Sequence, residues 1–223
     1  MKIYPAILTE STFELSEQLA VVQDQPKVEV VHLDIIDGFF ADNLTVTPID
    51  LAEVNISDLQ LDLHLMVTEP LDFVFETISA VDKEQVRSII GQIEQMSWQT
   101  EFLEEVKKHG WRGGLALDLF TPVEELDENI WHHLDIIQLM AIEAGEQGKS
   151  FNELVFSKID EVKELAKKHD KSIEIVIDGG IKKTHLAKLS RAGVEGVAIG
   201  SDIWTATDPQ AELSELLQLA EKR

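Results

Sequence analysis

Cysteine is absent from this 223-residue chain, and basic residues are scarce. Without thiols the chain can hold no disulfide, no thiolate zinc site, no iron–sulfur cluster and no cysteine nucleophile. Only 19 Lys and Arg stand against 42 Asp and Glu, which gives a formal net charge of −23. A field of that sign repels phosphate backbones and anionic lipid headgroups, so we expect no nucleic-acid partner and no membrane partner.

Long apolar runs and a secretory signal are lacking as well. No segment reaches the roughly 18 uncharged apolar residues of a membrane helix. The first residues lack the basic start and apolar stretch of a signal peptide. We therefore expect a cytoplasmic protein, and the absence of cysteine suits a reducing compartment. No Ser-, Gly- or Pro-rich linker divides the sequence, which predicts a single domain over residues 1–223.

Short apolar runs alternate with amphipathic stretches along the whole chain. Helical spacing of apolar residues marks 15–22, 102–109, 159–169 and 213–220. Eight strands alternating with helices in a chain of this length favour a (β/α)8 TIM barrel of the α/β class. An open doubly wound sheet is the main alternative, but the first strand–helix turn has no GxGxxG motif. The predicted strands lie at 3–8, 29–35, 59–67, 86–93, 114–119, 134–142, 173–180 and 194–200.

Four polar residues lie in or at the ends of these predicted strands. His32 and Asp34 are two apart in the second strand, so their side chains share a face. His64 lies late in the third strand, and Asp178 ends the seventh. Taken singly, each is better explained as a hydrogen-bonded residue at a strand end. Together, two imidazoles and two carboxylates at the active end of a barrel favour a divalent metal such as zinc, iron(II) or manganese.

Three glycine-bearing turns follow the late strands, at 144–150, 179–183 and 200–204. Backbone N–H groups in such turns bind anions without cationic side chains, and barrels often hold phosphate after strands seven and eight. These turns favour a small phosphorylated substrate across the barrel mouth. Met66 and Met140 lie at strand ends and on spacing alone are core residues. Trp98, Trp111 and Trp131 are expected to pack between helices and strands.

Several motifs carry a family pattern, in order along the chain: YPAIL, HLDIIDGFFADNLTVTP, LDLHLMVTEP, GLALDLFTPVEEL, IIQLMAIEAGEQGKSF, IDGGIK and AIGSDIW. Through them the sequence resembles the ribulose-phosphate 3-epimerase family along nearly its whole length. The resemblance implies a (β/α)8 barrel that holds one divalent metal ion (Zn, Fe(II), Mn or Co). The implied metal ligands are His32, Asp34, His64 and Asp178.

The function implied by the resemblance is an isomerase of the pentose phosphate pathway. It would interconvert D-ribulose 5-phosphate and D-xylulose 5-phosphate through an enediolate, with Asp34 and Asp178 as the two acid/base groups. The implied partner is a small-molecule sugar phosphate, and a homo-oligomer is left open. The residues implied to bind substrate or phosphate are Met66, Met140, Gly145, Gly148, Gly179, Gly180, Gly200 and Ser201.

Departures from the family pattern keep other readings open. The loop after the sixth predicted strand, which we call loop six, carries Glu143 and Glu146 beside the expected phosphate. Lys149 or Lys182 could offset their charge. The same chemistry on a hexulose phosphate or an unphosphorylated ketose is therefore an alternative, as is a non-catalytic sugar-phosphate binder. A barrel metal hydrolase is less favoured, because no His-x-His motif opens the first strand. Other departures are Ala6 for Ser, Phe39 for His, Asp42 for Pro, Gln92 for His and Asp118 for Asn.

Overall fold

A closed barrel of eight parallel strands forms the centre of the molecule. The computed structural model describes residues 1–145 and 148–221, and each strand of the barrel pairs with its neighbours in chain order. The first strand, β1 (Lys2–Ile7), pairs with both β2 (Val30–Ile36) and β8 (Gly196–Ile199). The (β/α)8 prediction is therefore confirmed, and the open sheet is excluded. Each predicted strand overlaps an observed one. The strands are β1 Lys2–Ile7, β2 Val30–Ile36, β3 Gln60–Met66, β4 Val86–Gln92, β5 Arg112–Leu117, β6 Leu134–Met140, β7 Glu174–Asp178 and β8 Gly196–Ile199.

Helices follow most strands and cover the outside of the barrel. Three of them, α2 (Pro70–Ala80), α5 (Lys183–Arg191) and the short α6 (Ser201–Trp204), were not assigned from apolar spacing. In α5 only Leu186 and Leu189 are buried, which is too short a stripe to be found as a periodic pattern. No helix in the described ranges is long and apolar enough to span a membrane. The helices are α1 Thr12–Gln23, α2 Pro70–Ala80, α3 Gln99–Lys108, α4 Val155–Lys168, α5 Lys183–Arg191, α6 Ser201–Trp204 and α7 Pro209–Glu221.

Apolar side chains fill both the space between strands and helices and the interior of the barrel. Trp111 and Trp131 are buried in the outer core, as expected. Trp98 is 66% exposed, so that expectation was wrong. It lies in extended backbone just before α3, and helical spacing therefore does not carry its ring inward. The interior layer consists of Tyr4, Val30, Ile90, Ala116, Ile136 and Val176.

Near the amino ends of the strands, polar and charged side chains form what we call the lower charged cluster: Tyr4, Asp62, Arg87, Arg112 and Glu174. Arg87 donates from Nε to Asp62 Oδ1 at 2.7 Å and from Nη1 to Tyr4 Oη at 3.0 Å. Arg112 and Tyr4 both donate to Glu174. Two guanidinium groups thus face two carboxylates, and the cluster balances its own charge.

Candidate metal centre and active-site cavity

The strand register sets His32, Asp34 and His64 side by side. β2 and β3 pair with Asp34 opposite His64, and His32 lies two residues earlier on the same face of β2. The His64 Nδ1 atom is 2.8 Å from Asp34 Oδ1. Both imidazoles are fully buried, and Asp34 is 7% exposed. The period of two in β2 and the pairing of β2 with β3 therefore place the three side chains on the same face, inside the barrel.

Asp178 completes the group from the end of β7. Its Oδ2 lies 3.5 Å from His32 Nε2 and 3.7 Å from His64 Nδ1. His32 Nε2 also lies 3.4 Å from Asp34 Oδ1. One ligand atom from each of the four residues falls within 4.8 Å of the others. The structure thus brings together the four residues singled out in the sequence, which we call the metal cluster.

The two carboxylates make this point in the barrel strongly attractive to positive charge. Burial by itself lowers the pKa of His32, but Asp178 and Asp34 facing its ring raise it to about 10. Burial by itself raises the pKa of Asp34, but His32 and His64 lower it to about 2. A cation among these four groups is therefore favoured.

Two buried glutamines surround the cluster. The amide of Gln92 is fully satisfied in the orientation in which Oε1 accepts from His64 Nε2 at 3.3 Å. Gln138 Nε2 donates to Asp178 Oδ2 at 3.0 Å. Hydrogen bonds to the far side of a ligand fix its orientation and its tautomer. Sequence reasoning passed over Gln138, although a polar residue inside the apolar strand LDIIQLM was a usable signal.

The donor set fits a divalent metal ion. In the tautomer in which His64 Nε2–H donates to Gln92 Oε1, the Nδ1 atom carries a lone pair, and Asp34 Oδ1 lies only 2.8 Å from it. Two acceptors at that distance repel each other unless a cation lies between them. The Nε2 atom of His32 is buried and has no hydrogen-bond partner among the described residues. These four residues could therefore hold a metal ion, whose identity the donor set leaves open among zinc, iron(II), manganese and cobalt.

A cavity of about 310 Å³ opens from the cluster at the carboxyl ends of the strands. Asp34 and Asp178 form part of its wall, while Met66 and Met140 are buried beside them. All the residues predicted to contact substrate or phosphate line this one cavity. They are Met66, Met140, Gly145, Gly148, Gly179, Gly180, Gly200 and Ser201.

The turn after β7 requires glycine. Gly179 and Gly180 have φ of +105° and +63°, in the left-handed region. A Cβ on Gly180 would lie 2.5 Å from the backbone nitrogen of Phe151, in the loop that follows β6. The two loops are therefore packed backbone against backbone at the cavity wall.

Helix α1 supplies two cavity residues that the sequence reasoning missed, Glu14 and Gln18. Their spacing predicts only a helix face, because contact between α1 and the barrel mouth is a tertiary feature. Glu143, the suspected carboxylate of loop six, is exposed and does not belong to the cavity lining among the described residues. Glu146 lies outside the described residues. None of the described residues that line the cavity is Lys or Arg.

Two of the departures from the family pattern, Ala6 and Phe39, differ in how they relate to the cavity. Ala6 lines the cavity and leaves its carbonyl to accept from Trp204 Nε1 at 2.6 Å. Phe39 is 84% exposed and is not among the described residues that line the cavity. The neighbouring Asp37 forms a turn by accepting from the backbone N–H groups of Phe39 and Phe40 at 2.8 Å each.

A closed (β/α)8 barrel with imidazoles and carboxylates at the carboxyl ends of its strands belongs to the class of barrel enzymes. Comparison with known proteins makes the class specific. The sequence matches the Ribulose-phosphate 3 epimerase family over residues 2–204, and the chain belongs to this family.

Characterised relatives cover nearly the whole chain. Ribulose-phosphate 3-epimerase of Bacillus subtilis is 29% identical over 218 residues, which span 97% of this chain and 98% of the relative. The Helicobacter pylori protein of the same name is 30% identical over 217 residues, with 97% and 96% covered. These relatives are isomerases of carbohydrate metabolism, and we assign this chain to the same enzyme class.

Solved structures at lower identity support the fold alone. A 3-hexulose-6-phosphate synthase superposes with a TM-score of 0.70 at 16% identity, covering 98% of this chain and 99% of the other. A phosphoribosyl anthranilate isomerase from Thermus thermophilus gives a TM-score of 0.65 at 12% identity, with both chains fully covered. Both neighbours span the complete barrel.

Proposed function

We propose that this protein is a divalent-metal-dependent epimerase that interconverts D-ribulose 5-phosphate and D-xylulose 5-phosphate by inverting C3. One observation carries the proposal: two carboxylates from non-adjacent strands, Asp34 and Asp178, line one cavity and meet the same two imidazoles. Inversion at a carbon next to a ketone needs a proton removed from one face and another delivered to the opposite face. A single carboxylate on one side of the substrate cannot do both.

In this proposal Asp34 and Asp178 exchange the acid and base roles according to the direction of the reaction. The carboxylate that begins deprotonated takes the C3 proton, and the other protonates the opposite face of the enediolate. Gln138 holds Asp178 through the 3.0 Å hydrogen bond to Oδ2, which leaves Oδ1 for proton transfer. Met66 and Met140 cover the reacting face with apolar atoms and limit proton exchange with water.

His32, Asp34, His64 and Asp178 would hold the metal ion. When bound, a divalent cation supplies Lewis-acid stabilisation of the negative charge that develops on the substrate oxygens. The observation that supports this part of the proposal most directly is the buried His32 Nε2, which faces both carboxylates at 3.4 and 3.5 Å but has no hydrogen-bond partner among the described residues.

Backbone N–H groups would bind the phosphate. The glycines after β6, β7 and β8 line the same cavity, and such turns bind anions without cationic side chains. The net charge of −23 therefore does not exclude an anionic substrate. Because Glu143 is exposed rather than in the cavity wall, the charge objection raised by that residue loses its main support.

A second candidate keeps the chemistry but changes the ketose. Glu14 lines the cavity and its Oε2 accepts from Thr9 Oγ1 at 2.5 Å. A carboxylate here accepts hydrogen bonds from hydroxyls and repels a phosphate dianion. This favours an unphosphorylated ketose or a hexulose phosphate whose phosphate lies farther from Glu14.

A substrate panel separates the two candidates. We expect the metal-loaded enzyme to epimerise D-ribulose 5-phosphate with kcat/KM at least about 100-fold above that for D-ribulose, because several charge-assisted hydrogen bonds to phosphate are lost with the free sugar. Glu14→Gln serves as the companion variant and should raise this preference, because the neutral amide no longer repels the phosphate dianion. Equal turnover with and without phosphate would reject the phosphate site. A single domain over residues 1–223, a cytoplasmic location and a homo-oligomer remain predictions.

A further inference from the structure

A chain of hydrogen bonds runs from the metal cluster to a loop at the cavity. It begins at Gln92, which is fully buried at the end of β4. With Oε1 accepting from His64, Gln92 Nε2 donates to Glu94 Oε2 at 2.8 Å and to the carbonyl of Ala116 at 3.1 Å. Every polar atom of the Gln92 side chain is thus committed, and the amide cannot turn without breaking these bonds.

Glu94 continues the chain of hydrogen bonds from β4 to the end of β5. Its second oxygen, Oε1, accepts from the backbone N–H of Asp118 at 2.7 Å. Asp118 Oδ1 in turn accepts from the backbone N–H of Ala144 at 2.9 Å. Ala144 immediately precedes Gly145, which lines the cavity. Three side chains, those of Gln92, Glu94 and Asp118, therefore connect the His64 ring to the backbone of the loop after β6.

A buried lysine anchors the far end of this chain. Lys158 on α4 is 7% exposed and donates from Nζ to the carbonyl of Asp118. Burial lowers the pKa of Lys158, while the charges of Glu94, Asp118 and Glu161 oppose that shift. The Lys158 side chain lies close enough to both carboxylates to feel their charge, and its hydrogen bond ties α4 to the end of β5 beside Asp118.

We propose that Glu94 and Asp118 are positioning residues that fix His64 for metal binding and hold Gly145 against the substrate. This inference rests on the proposed function for its relevance to substrate, although the His64 part does not. Glu94 acts through Gln92 on the orientation of the imidazole, and Asp118 acts through Ala144 on the loop. Neither residue touches the reacting atoms.

The same chain of hydrogen bonds explains why Gln92 can replace the histidine of the family pattern. A neutral imidazole offers one acceptor and one donor, and the Gln92 amide offers the same pair to His64 and Glu94. Gln92→His should therefore keep metal affinity within about 3-fold. Gln92→Leu, which has neither group, should weaken metal binding about 10- to 100-fold.

The His64 part is tested with Glu94→Ala, using exposed Glu124→Ala as the matched control. We expect Glu94→Ala to weaken zinc binding about 10-fold in a chelator competition, at unchanged folding by circular dichroism. In the metal-free protein, proton–nitrogen NMR should show a hydrogen-bonded His64 Nε2–H signal in wild type and in Glu124→Ala. That signal should broaden or vanish in Glu94→Ala.

The loop part is tested by a pair of variants at Asp118. Asp118→Asn keeps an oxygen acceptor for Ala144, so its KM should stay within about 2-fold of wild type. Asp118→Ala loses the acceptor and should raise KM about 5- to 10-fold with a smaller change in kcat, as for one lost hydrogen bond. Equal KM in wild type and Asp118→Ala would overturn the loop role.

The two proposals fail in different ways. An unchanged His64 Nε2–H signal in Glu94→Ala would overturn the positioning role of Glu94, whatever the enzyme does to sugars. In the other case, Glu94→Ala loses the His64 signal and binds zinc more weakly, but the wild-type protein epimerises no ketose phosphate. That result would support the positioning role of Glu94 and reject the proposed function.

Discussion

Two charged clusters lie toward opposite ends of one barrel, and the metal cluster is the one that adjoins the cavity lined by the predicted substrate residues. On β3 they are two residues apart, since Asp62 belongs to the lower charged cluster and His64 to the metal cluster. In the lower cluster, Arg87 and Arg112 face Asp62 and Glu174, so the charges balance. The metal cluster opposes two carboxylates with two imidazoles, which are neutral in their metal-binding form.

The difference lies in which atoms remain unpartnered. The carboxylates of the lower cluster receive hydrogen bonds from Arg87, Arg112, Ser88 and Tyr4. In the metal cluster both ring nitrogens of buried His32 lack a hydrogen-bond partner among the described residues. Because an unpartnered buried polar atom costs free energy, its presence points to a ligand. A cluster of buried charged residues therefore does not by itself indicate a functional site. A buried cluster in which polar atoms lack hydrogen-bond partners does.

The largest expected effect comes from breaking the metal cluster at Asp178. Asp178→Asn removes one proton-transfer group but keeps the shape of the side chain. We expect epimerisation of D-ribulose 5-phosphate to fall by at least about 10³-fold, within the range for a lost acid/base group. Thermal unfolding should show that the variant remains folded. Activity near wild type would reject the two-carboxylate scheme.

Breaking the lower charged cluster should instead cost stability. Arg87→Leu leaves Asp62 and Glu174 without their shared cation, and we expect the free energy of unfolding to fall by about 3–5 kcal/mol. Zinc affinity of the folded variant should be unchanged. Lys27→Ala is the control, since its ion pair with Glu221 is exposed and is expected to contribute less than about 1 kcal/mol. A loss of metal affinity without a loss of stability would contradict the division between the clusters.

Removing the metal should have a smaller effect on stability. At a free metal concentration 100 times Kd, binding stabilises the folded state by about 2.7 kcal/mol. For a chain of this size we expect chelation to lower Tm by about 5–10 °C. Calorimetry with and without chelator measures the shift, and His64→Ala should abolish it. An equal shift in wild type and in His64→Ala would place the metal elsewhere.

Much of this site follows from strand periodicity. His32 and Asp34 share a face because they are two apart, and parallel strands of a closed barrel bring His64 and Asp178 to the same end. The glycine turns were equally visible, because they lie directly after strands. These patterns can be read from short segments of sequence. The barrel fold adds only the rule that the carboxyl ends of all the strands meet at one end of the barrel.

What escaped prediction depends on contacts between distant segments. Glu14 on α1 reaches the cavity only because the helix packs beside the mouth of the barrel. Glu143 raised a charge objection in the sequence, but the direction of a loop side chain cannot be read from its neighbours, and it faces solvent. The prediction that Trp98 packs between helices and strands failed for a similar reason, since the backbone before α3 is extended rather than helical.

The most direct test of the account is the turnover of D-ribulose 5-phosphate by a single preparation before chelation, after chelation and after metal is added back. We predict that product formation at C3 falls by at least about 10²-fold on chelation and returns when a divalent cation is restored. His64→Ala should show little activity in all three states. Undiminished turnover by the chelated wild-type protein, with metal absence verified by elemental analysis, would contradict the claim that the metal cluster binds a catalytic cation.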